Sequence, residues 1–414
     1  MIRFLEISFH IYAVLCTVAG ILYIPRVCYY FSAFKKQKRY TNENKNRLAV
    51  LVPARGESTI IGDCMESLLK QSYDADCFDI HVVVAEQDDP TVEIVKPMRN
   101  SFVHVIENQK CKGDALDGVL KNILGGKTKY DAYVVVDADN LADEKFLEEM
   151  NNALGSGRQI VCGRKLIKNW KSKSRKSRSW VTNCIALTWT NVDDMGNKFR
   201  NKLNIPISIC GQGMMVRADV VEKLGGWPYR TLTEDLEMTT DSIVSGYTSL
   251  YYEHAILYCE EPVRMKEANK RRVRWLRGYA QCSDLYRWKI FKQTFTKLNW
   301  RNLDFLYMLW PVILFAAVSI VMSIVGFLAV TVSFAAVFKY VILPWLVMFV
   351  MLLIYTAITL AIIWKDMEVT LREKLALFFL YPMFLFGWFP MFIVACLTRQ
   401  KASWDQVQRI PFEK

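Results

Sequence analysis

The residues most able to do chemistry are two aspartates that follow one short apolar run. The run is Tyr133–Val136, and Asp137-Ala138-Asp139 comes directly after it. A short, β-branched run predicts a buried strand, and alternate side chains of an extended backbone point the same way. Both carboxylates could therefore reach one hard cation beyond the strand's carboxyl end. We predict a divalent ion that bridges a diphosphate; the alternative is a solvated strand end.

A second acidic group, Thr233-Glu234-Asp235, precedes the helical pattern of Leu236–Val244. One interpretation is a helix N-terminus, with Thr233 as the cap and the acids favoured by the helix dipole. The other is a general base, because a carboxylate beside a metal site could take the proton of a hydroxyl that attacks a sugar. The metal and nearby basic groups would then offset the charge of a leaving nucleotide diphosphate.

A third group, Arg271-Arg272-Val273-Arg274-Trp275, combines guanidinium groups with an indole. Arginine makes bidentate contacts to phosphate oxygens, and tryptophan stacks on a sugar or a base. The alternative is basic juxtamembrane sequence in front of an interfacial helix.

An alternation of strands and helices over residues 47–260 must position these groups. The predicted strands are Arg47–Pro53, Ile80–Ala85, Phe102–Ile106 and Tyr133–Val136, and the predicted helices are Ile61–Gln71 and Ala115–Leu124. Strands separated by helices imply crossovers, so the fold class is α/β with a largely parallel sheet. Neither a dinucleotide-binding glycine fingerprint nor a phosphate-cradling Gly-Lys-Ser/Thr loop is present. Dinucleotide dehydrogenases and P-loop NTPases are therefore disfavoured.

Composition separates a mixed region from an apolar one. The chain has 414 residues, 52% of them apolar and a net charge of +12, and residues 305–398 are almost continuously hydrophobic. Arg164–Arg178 is basic without any acid, which predicts a solvated loop or attraction to anionic lipid headgroups. Nucleic-acid binding is disfavoured because no reader motif accompanies the charge. Eleven cysteines without a Cys-x-x-Cys pair, and four histidines, indicate a reduced compartment and no zinc site.

Several segments could lie in a membrane. Ile7–Pro25 is long enough to span, and the basic cluster Arg26–Arg39 after it predicts that the following chain is cytoplasmic. A signal peptide is disfavoured because its positive charge would precede the apolar stretch. Phe305–Phe338 and Tyr340–Trp364 are predicted spans. Leu375–Thr398 either crosses or re-enters, since its own prolines and glycine interrupt it.

The predicted organisation is that of a multi-pass cell-membrane protein with a cytoplasmic catalytic domain. Its parts are an anchor at 1–35, an α/β domain at 36–278, an interfacial amphipathic helix at 279–302, a transmembrane bundle at 303–398 and a basic tail at 399–414. Membrane lipids are thus predicted partners. A transporter is disfavoured because the apolar spans contain essentially no ionisable residues to mark a path.

The order of these motifs resembles that of the membrane-embedded, inverting family 2 glycosyltransferases. That group includes cellulose, chitin, hyaluronan and poly-N-acetylglucosamine synthases, and the resemblance covers residues 47–278 well and the apolar region less well. It is carried by the Asp-x-Asp, Thr-Glu-Asp and Arg-x-Arg-Trp elements in that order before apolar helices. Supporting elements are Pro53–Glu57, Asn108–Leu116, Gly225–Trp227 and Ala255–Pro262.

The resemblance implies a GT-A-type domain with assigned residue roles. Donor and nucleotide binding falls to Glu57, Glu86, Lys112 and Asp137. Asp139 is the principal ligand of a Mg²⁺ or Mn²⁺ ion, together with Asp137. Glu234 and Asp235 are catalytic, with Asp235 as the base. The diphosphate and the acceptor end fall to Arg272, Arg274 and Trp275.

Two positions depart from the family pattern. Glu86 stands where the family often has aspartate, and Arg271 stands where it has the glutamine that goes with processive polymer synthesis. The expected activity is transfer of a sugar from a nucleotide-sugar donor, UDP-linked, to a growing polysaccharide, with inversion. The alternatives are a glycolipid synthase with a membrane-lipid acceptor and an inactive membrane assembly subunit. The presence of all the acidic and Arg-Trp motifs argues against the inactive subunit.

Overall fold

A computed structural model describes residues 31–309, 334–338 and 342–399, together with residues 7, 11 and 29. Its strands are β1 (Leu48–Pro53), β2 (Phe78–Val84), β3 (Ser101–Val105), β4 (Ala132–Val135), β5 (Leu141–Ala142), β6 (Ile160–Ile167), β7 (Met214–Arg217) and β8 (Ser249–Cys259). They form one eight-stranded sheet in the order β3-β2-β1-β4-β7-β6-β8-β5.

Helices pack on both faces of this sheet and continue into the apolar region. They are α1 (Ile61–Leu69), α2 (Thr91–Val95), α3 (Lys112–Leu124), α4 (Phe146–Leu154), α5 (Trp180–Thr190), α6 (Lys198–Leu203), α7 (Ala218–Leu224), α8 (Glu234–Ser245), α9 (Met265–Thr296), α10 (Leu303–Leu309), α11 (Phe334–Val337), α12 (Leu343–Ile363), α13 (Leu371–Phe386) and α14 (Trp388–Leu397). A π-helix, Asn191–Asn197, joins α5 to α6. Short 3₁₀ turns occupy Ala75–Cys77, Lys168–Lys171, Arg175–Ser177 and Trp300–Asn302.

The predicted parallel sheet is one half of the observed sheet. β3, β2, β1 and β4 pair in parallel, as the four predicted strands require. The other half is mixed, because β7 runs antiparallel to both β4 and β6 whereas β8 runs parallel to β6. The prediction of a largely parallel sheet is therefore wrong for this half. β7 has only four residues, too few to show a period in the sequence.

Both faces of β1 are buried, which explains its uninterrupted apolar sequence. Leu48, Val50 and Val52 pack into the core layer that contains α1 and α4. Ala49 and Leu51 pack into the opposite layer, with residues of α3 and α7. A strand with helices on both sides gains apolar burial at every residue, about 1.5–3 kcal/mol for each large side chain. β1 is therefore an interior strand of the sheet, and the loop that follows it starts at the carboxyl ends of the parallel strands.

Four cations of the basic run Arg164–Arg178 pair with acids from other parts of the chain: Arg164, Lys165, Lys168 and Lys171. Lys165 and Asp193 are almost fully buried, with 2.7 Å between Nζ and Oδ2. Arg164 bonds both Asp194, at 3.0 Å, and Asp366, at 2.8 Å. The prediction of a solvated loop or a lipid-facing patch is wrong for Arg164 and Lys165, because acids pair with them. Those acids lie far away in the sequence, so the charges within the run do not reveal them.

Among the described residues, two helices are long and apolar enough to cross a membrane, judged by length and composition: Trp345–Ile363 and Leu371–Leu397. The first lies within the predicted span Tyr340–Trp364. The second overlaps the predicted Leu375–Thr398 as far as Leu397 and is divided at Gly387 into α13 and α14. Most of the predicted anchor, the greater part of Phe305–Phe338 and the tail after residue 399 lie outside the described residues.

Helix α9 is continuous from Met265 to Thr296 and so runs through the predicted boundary between residues 278 and 279. At a rise of 1.5 Å per residue its 32 residues extend over about 48 Å. It packs against both α8 and α14. The Arg-Trp element and most of the predicted interfacial segment therefore belong to one continuous helix.

Candidate active site

The carboxyl ends of β1, β2 and β4 meet at one edge of the sheet because these strands are parallel and in register. The loops that follow them carry half-buried Glu57, exposed Glu86 and Asp137, respectively. The first two loops are joined, since the Gly56 N–H donates to an Asp89 carboxylate oxygen at 3.0 Å. Three predicted donor-binding acids thus follow strands that end at the same edge.

Lys112, the first residue of α3, lies at the centre of the acidic cluster. Its Nζ is 2.5 Å from Asp137 Oδ1, 2.6 Å from the Gly211 carbonyl oxygen and 3.7 Å from Glu234 Oε1. Burial acts to lower the pKa of Lys112, but the charges of Asp137 and Glu234 outweigh it and raise the pKa. The ammonium group therefore stays charged between two carboxylates from different parts of the sequence.

The turn that carries Asp139 is held by residues that the sequence did not identify. Asn140 Nδ2 donates to Asp139 Oδ1 at 3.0 Å and to Gln212 Oε1 at 2.9 Å, and Asn140 Oδ1 accepts from the Asp137 N–H at 3.0 Å. Lys168 Nζ donates to the Asp139 carbonyl at 2.9 Å. Asp139 itself is only 7% exposed. The sequence could have indicated a role for Asn140, because it directly follows Asp139. No pattern near Lys168 indicates that it contacts Asp139.

Glu234 and Asp235 begin α8, as the helix-start interpretation predicts. The Thr233 side chain makes no capping hydrogen bond, so its predicted capping role is wrong. Instead, Asp235 Oδ2 accepts from the Gly211 N–H at 2.7 Å, and Oδ1 accepts from the Leu236 N–H at 2.8 Å. Both oxygens of Asp235 are thus oriented by backbone donors.

Gly211 makes this close approach possible. A Cβ at this position would lie 3.1 Å from Glu234 Oε1 and 3.3 Å from Asp235 Oδ2. A side chain would therefore press on both carboxylates. The sequence signal for this loop was Gly211-Gln212-Gly213 directly before an apolar strand, since glycine there indicates close approach of the backbone.

Glu234 titrates close to neutrality. Burial raises its pKa from 4.5 to about 7, the Lys112 ammonium opposes that rise, and the Asp235 charge adds to it. The side chain belongs to a residue that is only 9% exposed. A carboxyl group with a pKa near 7 can hold or release a proton at physiological pH, as acid–base catalysis requires.

Glu234→Gln is expected to flatten the dependence of stability on pH. In the wild type, between about pH 4.5 and pH 7 the folded state keeps the Glu234 proton that the unfolded state loses. The stabilisation is complete below pH 4.5 and is lost as the pH rises through 7. The midpoint temperature of unfolding should fall between pH 5 and pH 8 by more in the wild type than in the variant. Parallel curves in a fluorescence-monitored melt would contradict the raised pKa.

Arg274 lies near the acidic cluster, whereas its neighbour Trp275 lies among other aromatic side chains. Burial and the charge of Arg271 lower the pKa of Arg274, whereas the charges of Glu234, Asp235 and Asp137 raise it. Trp275 packs between two other indoles, T-shaped to Trp189 at 5.6 Å and stacked on Trp388 at 6.4 Å between ring centroids. Arg271, the residue in place of the family's glutamine, bonds Glu261 at 2.8 Å and lies over the Trp275 ring.

Arg272 faces the C-terminal helices and not the carboxylates. Its guanidinium donates to the Phe384 carbonyl at 3.0 Å and to Asn269 Oδ1 at 2.6 Å, and it lies 4.0 Å from the centroid of the Phe384 ring. Burial lowers the pKa of Arg272 to about 10. A cation on the last carbonyls of α13 stabilises the helix end. Its assignment to the diphosphate stays a prediction.

The donor set fits a divalent ion that is shared with a diphosphate. The described residues contain no group of three or more His, Cys, Asp or Glu residues able to hold a metal on their own. Mg²⁺ is usually bound through one or two carboxylates plus substrate phosphates and waters. Asp139 and Asp137 supply that number of hard oxygen ligands. Asp139 is the stronger candidate, because Asp137 is paired with Lys112.

Comparisons with known proteins bear on the family and the fold of the chain. The sequence model of the family described as "Glycosyl transferase family group 2" matches residues 133–390, more than half of the chain. The chain is 23% identical over 416 residues to the probable glycosyltransferase YdaM of Bacillus subtilis (strain 168), covering 92% of this chain and 91% of that one. It is 24% identical over 260 residues to the uncharacterized glycosyltransferase YaiP of Escherichia coli (strain K12), covering 62% of each.

A solved structure shares the fold over nearly the whole chain. It is the mannosyltransferase PcManGT from Pyrobaculum calidifontis in complex with GDP-Man and Mn²⁺, at a TM-score of 0.56 and 15% identity. The superposition covers 94% of this chain and 99% of that one. At this identity the likeness establishes the mixed α/β architecture and carries no residue roles.

Proposed function

We propose, since this chain belongs to glycosyl transferase family group 2, that it transfers a sugar from a nucleotide-sugar donor to an acceptor hydroxyl at its GT-A-like sheet edge. The observation that carries the proposal is the convergence of Lys112, Asp137, Glu234 and Asp235 on one point beside Asp139. These groups come from three separate stretches of sequence. Placing Asp137, Asp235 and the buried Glu234 around one lysine gives folding no advantage that apolar residues could not match.

Asp235 is the proposed base. Its two oxygens are held in one orientation by the N–H groups of Gly211 and Leu236, which leaves lone pairs for an acceptor hydroxyl. As Asp235 takes that proton, the hydroxyl oxygen attacks the anomeric carbon from the side opposite the nucleoside diphosphate. The bond from that carbon to the diphosphate breaks, so the single displacement inverts the carbon. Lys112 and Arg274 would offset charge on the departing diphosphate. A Mg²⁺ or Mn²⁺ ion held by Asp139 and Asp137 would neutralise part of the same charge.

The donor is proposed to be UDP-linked, and the acceptor to be a growing polysaccharide, as the order of the motifs implies. PcManGT was solved with GDP-Man, so guanosine donors belong in the same test. Purified protein in detergent is incubated with radiolabelled UDP- and GDP-sugars, Mn²⁺ and membrane lipid extract, and the products are separated by size and by solvent partition. No transfer from any donor would overturn the proposal.

A lipid acceptor is the second candidate, favoured by the environment of Arg271. Arg271 stands where the family has the glutamine that goes with processive synthesis, and it bonds Glu261 at 2.8 Å. A radiolabelled product that enters the organic phase after a single addition would support the lipid. Label in a high-molecular-weight, water-soluble product would support the polysaccharide.

The second half of α9 supports association with a membrane surface. Leu285, Trp288 and Phe295 are about half exposed there, and Leu298 and Trp300 continue the apolar surface beyond the helix. Lysines and arginines interleave with these residues, among them Arg287, Lys289, Lys292, Lys297 and Arg301. Exposed tryptophans next to cations suit the boundary between headgroups and acyl chains.

Contacts at both ends of Leu371–Leu397 support the re-entrant alternative for this segment. Before it, the loop from α12 is tied to the catalytic domain through the Arg164 bond to Asp366. After it, Arg277 donates to Thr398 Oγ1 at 3.0 and 2.8 Å. A helix that crossed would carry its ends to opposite sides. We propose that α12 spans the membrane and that α13 and α14 stay on the side of the catalytic domain as a re-entrant or interfacial segment, with Gly387 in a helical backbone conformation between them.

Exposed Cys396 is therefore expected to be accessible from the side of the catalytic domain. In sealed proteoliposomes, an impermeant maleimide should modify Cys396 in the same vesicles as a reference Lys129→Cys on the catalytic domain, read by peptide mass spectrometry. Cys396→Ser identifies the labelled peptide. Labelling of Cys396 only in vesicles where the reference site is protected would show that the segment crosses.

A further inference from the structure

The loop in front of the catalytic helix is held by side chains. The N–H groups of Arg230 and Thr231 donate to one carboxylate oxygen of Glu237, at 2.9 and 2.7 Å. The next N–H, that of Leu232, donates to Gln281 Oε1 at 3.0 Å. Glu237 belongs to α8 itself and moves with it. Of these two acceptors, Gln281 is therefore the one that fixes the loop to a different element, α9.

The other end of the Gln281 amide holds the end of the last described helix. Gln281 Nε2 donates to the Arg399 carbonyl at 3.1 Å, two residues beyond α14. The Arg399 side chain bonds Asp284 at 3.1 Å. One neutral side chain thus joins the backbone of the catalytic loop to the backbone at the end of α14.

The contact between α9 and the loop leaves little room for independent movement. A Cβ at Gly278 would lie 2.3 Å from Thr233 Oγ1, so only glycine allows this approach. Cys282 Sγ contacts the hydroxyl oxygens of Thr231 and Thr233 at 3.5 and 3.8 Å. Thr233 directly precedes Glu234 and Asp235. A shift of α9 would therefore be passed to both carboxylates.

We propose that Gln281 is a positioning residue that couples the end of α14 to the placement of Glu234 and Asp235. It touches no reacting group and acts through the Leu232 N–H. The inference rests on the proposed function of α8 for its effect on activity, but its effect on the loop is independent of that function. When the end of α14 leaves α9, Gln281 loses one partner and the loop loosens.

The test uses Gln281→Met, which keeps the length of the side chain and removes both hydrogen bonds. Thr398→Val is the matched control, since it removes the Arg277 contact at the same end of α14 and leaves the loop untouched. We expect Gln281→Met to lower kcat by about tenfold, the equivalent of one lost hydrogen bond. The donor KM should stay within about twofold, because Glu57, Glu86 and Asp137 lie after β1, β2 and β4 and not on this loop. Thr398→Val should lower kcat by less than Gln281→Met, because Gln281 keeps its bonds to Leu232 and Arg399.

Gln281→Glu distinguishes the two hydrogen bonds of the amide. Its carboxylate still accepts from the Leu232 N–H, but it cannot donate to the Arg399 carbonyl. Hydrogen exchange of the full chain in detergent reads both ends. The Leu232 amide should exchange fastest in Gln281→Met and at an intermediate rate in Gln281→Glu, which keeps the acceptor for Leu232 but loses the link to Arg399. Amides at the end of α14 should exchange faster in both variants.

Two results would overturn the proposal: unchanged exchange at Leu232 in Gln281→Met, or equal losses of kcat in Gln281→Met and Thr398→Val. If the wild type transfers no sugar, the proposed function fails, and exchange at Leu232 alone decides the role of Gln281.

Discussion

Asp235→Asn is expected to lower the transfer rate by about 10²- to 10⁴-fold, the usual cost of losing a general base. The amide is nearly isosteric, and its oxygen can still accept one of the two backbone hydrogen bonds that orient Asp235. It cannot take a proton at neutral pH. Nucleotide affinity should remain within about twofold, because the donor-binding acids follow other strands.

Glu234→Gln is the matched comparison, since it changes the neighbouring carboxylate in the same helical turn. Burial raises the pKa of Glu234 to about 7, which makes this residue the one serious rival for the role of base. Steady-state kinetics of both variants, with calorimetry of UDP binding and a thermal melt for each, separates catalysis from folding. Turnover above about half of wild type in Asp235→Asn, with a large loss in Glu234→Gln, would transfer the role to Glu234.

The sequence predicted the elements that are buried on both faces. The strand at 133–136 and the helix before Leu124 differ from the observed β4 and α3 only at their ends. Double burial demands an unbroken apolar run, and such a run stands out in any reading of the chain. The acids were predictable for the same reason, because polar residues that directly follow such runs must lie at the sheet edge.

The sequence could not show partners that the fold brings together over long separations. Lys165 meets Asp193, and Lys168 supports Asp139, across stretches with no common pattern. Gln281 lies 49 positions from Leu232. These pairings depend on the course of the mixed half of the sheet or on the path of α9. Local periodicity in the sequence predicts neither of these two features.

Helical geometry explains why the Arg-Trp element divides between two environments. Arg272 and Arg274 are two residues apart on α9, so their side chains differ by about 200° around the helix axis. Arg274 interacts with the carboxylates, and Arg272 therefore faces α13. Once the segment is known to be helical, a single diphosphate cannot be expected to contact both in the same way.

Asp139→Asn is expected to abolish the metal-dependent part of nucleotide-diphosphate binding. The amide preserves the size of the side chain, but a neutral oxygen is a much weaker ligand for a hard cation. Calorimetry should show that Mn²⁺ strengthens UDP or GDP binding to the wild type by at least about tenfold, and that this gain is lost in the variant. Asp143→Asn, four residues further along the chain and beyond β5, controls for general loss of negative charge.

The same titration applied to Asp137→Asn distinguishes the two aspartates. Asp137 shares its carboxylate with Lys112, so its removal frees an ammonium group that can bind the diphosphate directly. Asp137→Asn should therefore keep part of its nucleotide affinity when no metal is present. Asp139→Asn frees no ammonium group, so it should show no such metal-free affinity gain. If Asp139→Asn kept the full gain from Mn²⁺ and Asp137→Asn lost it, Asp137 would be the principal ligand. Lys112 would then have to leave Asp137 when the ion binds, because one carboxylate oxygen cannot serve an ammonium group and a divalent cation at full strength.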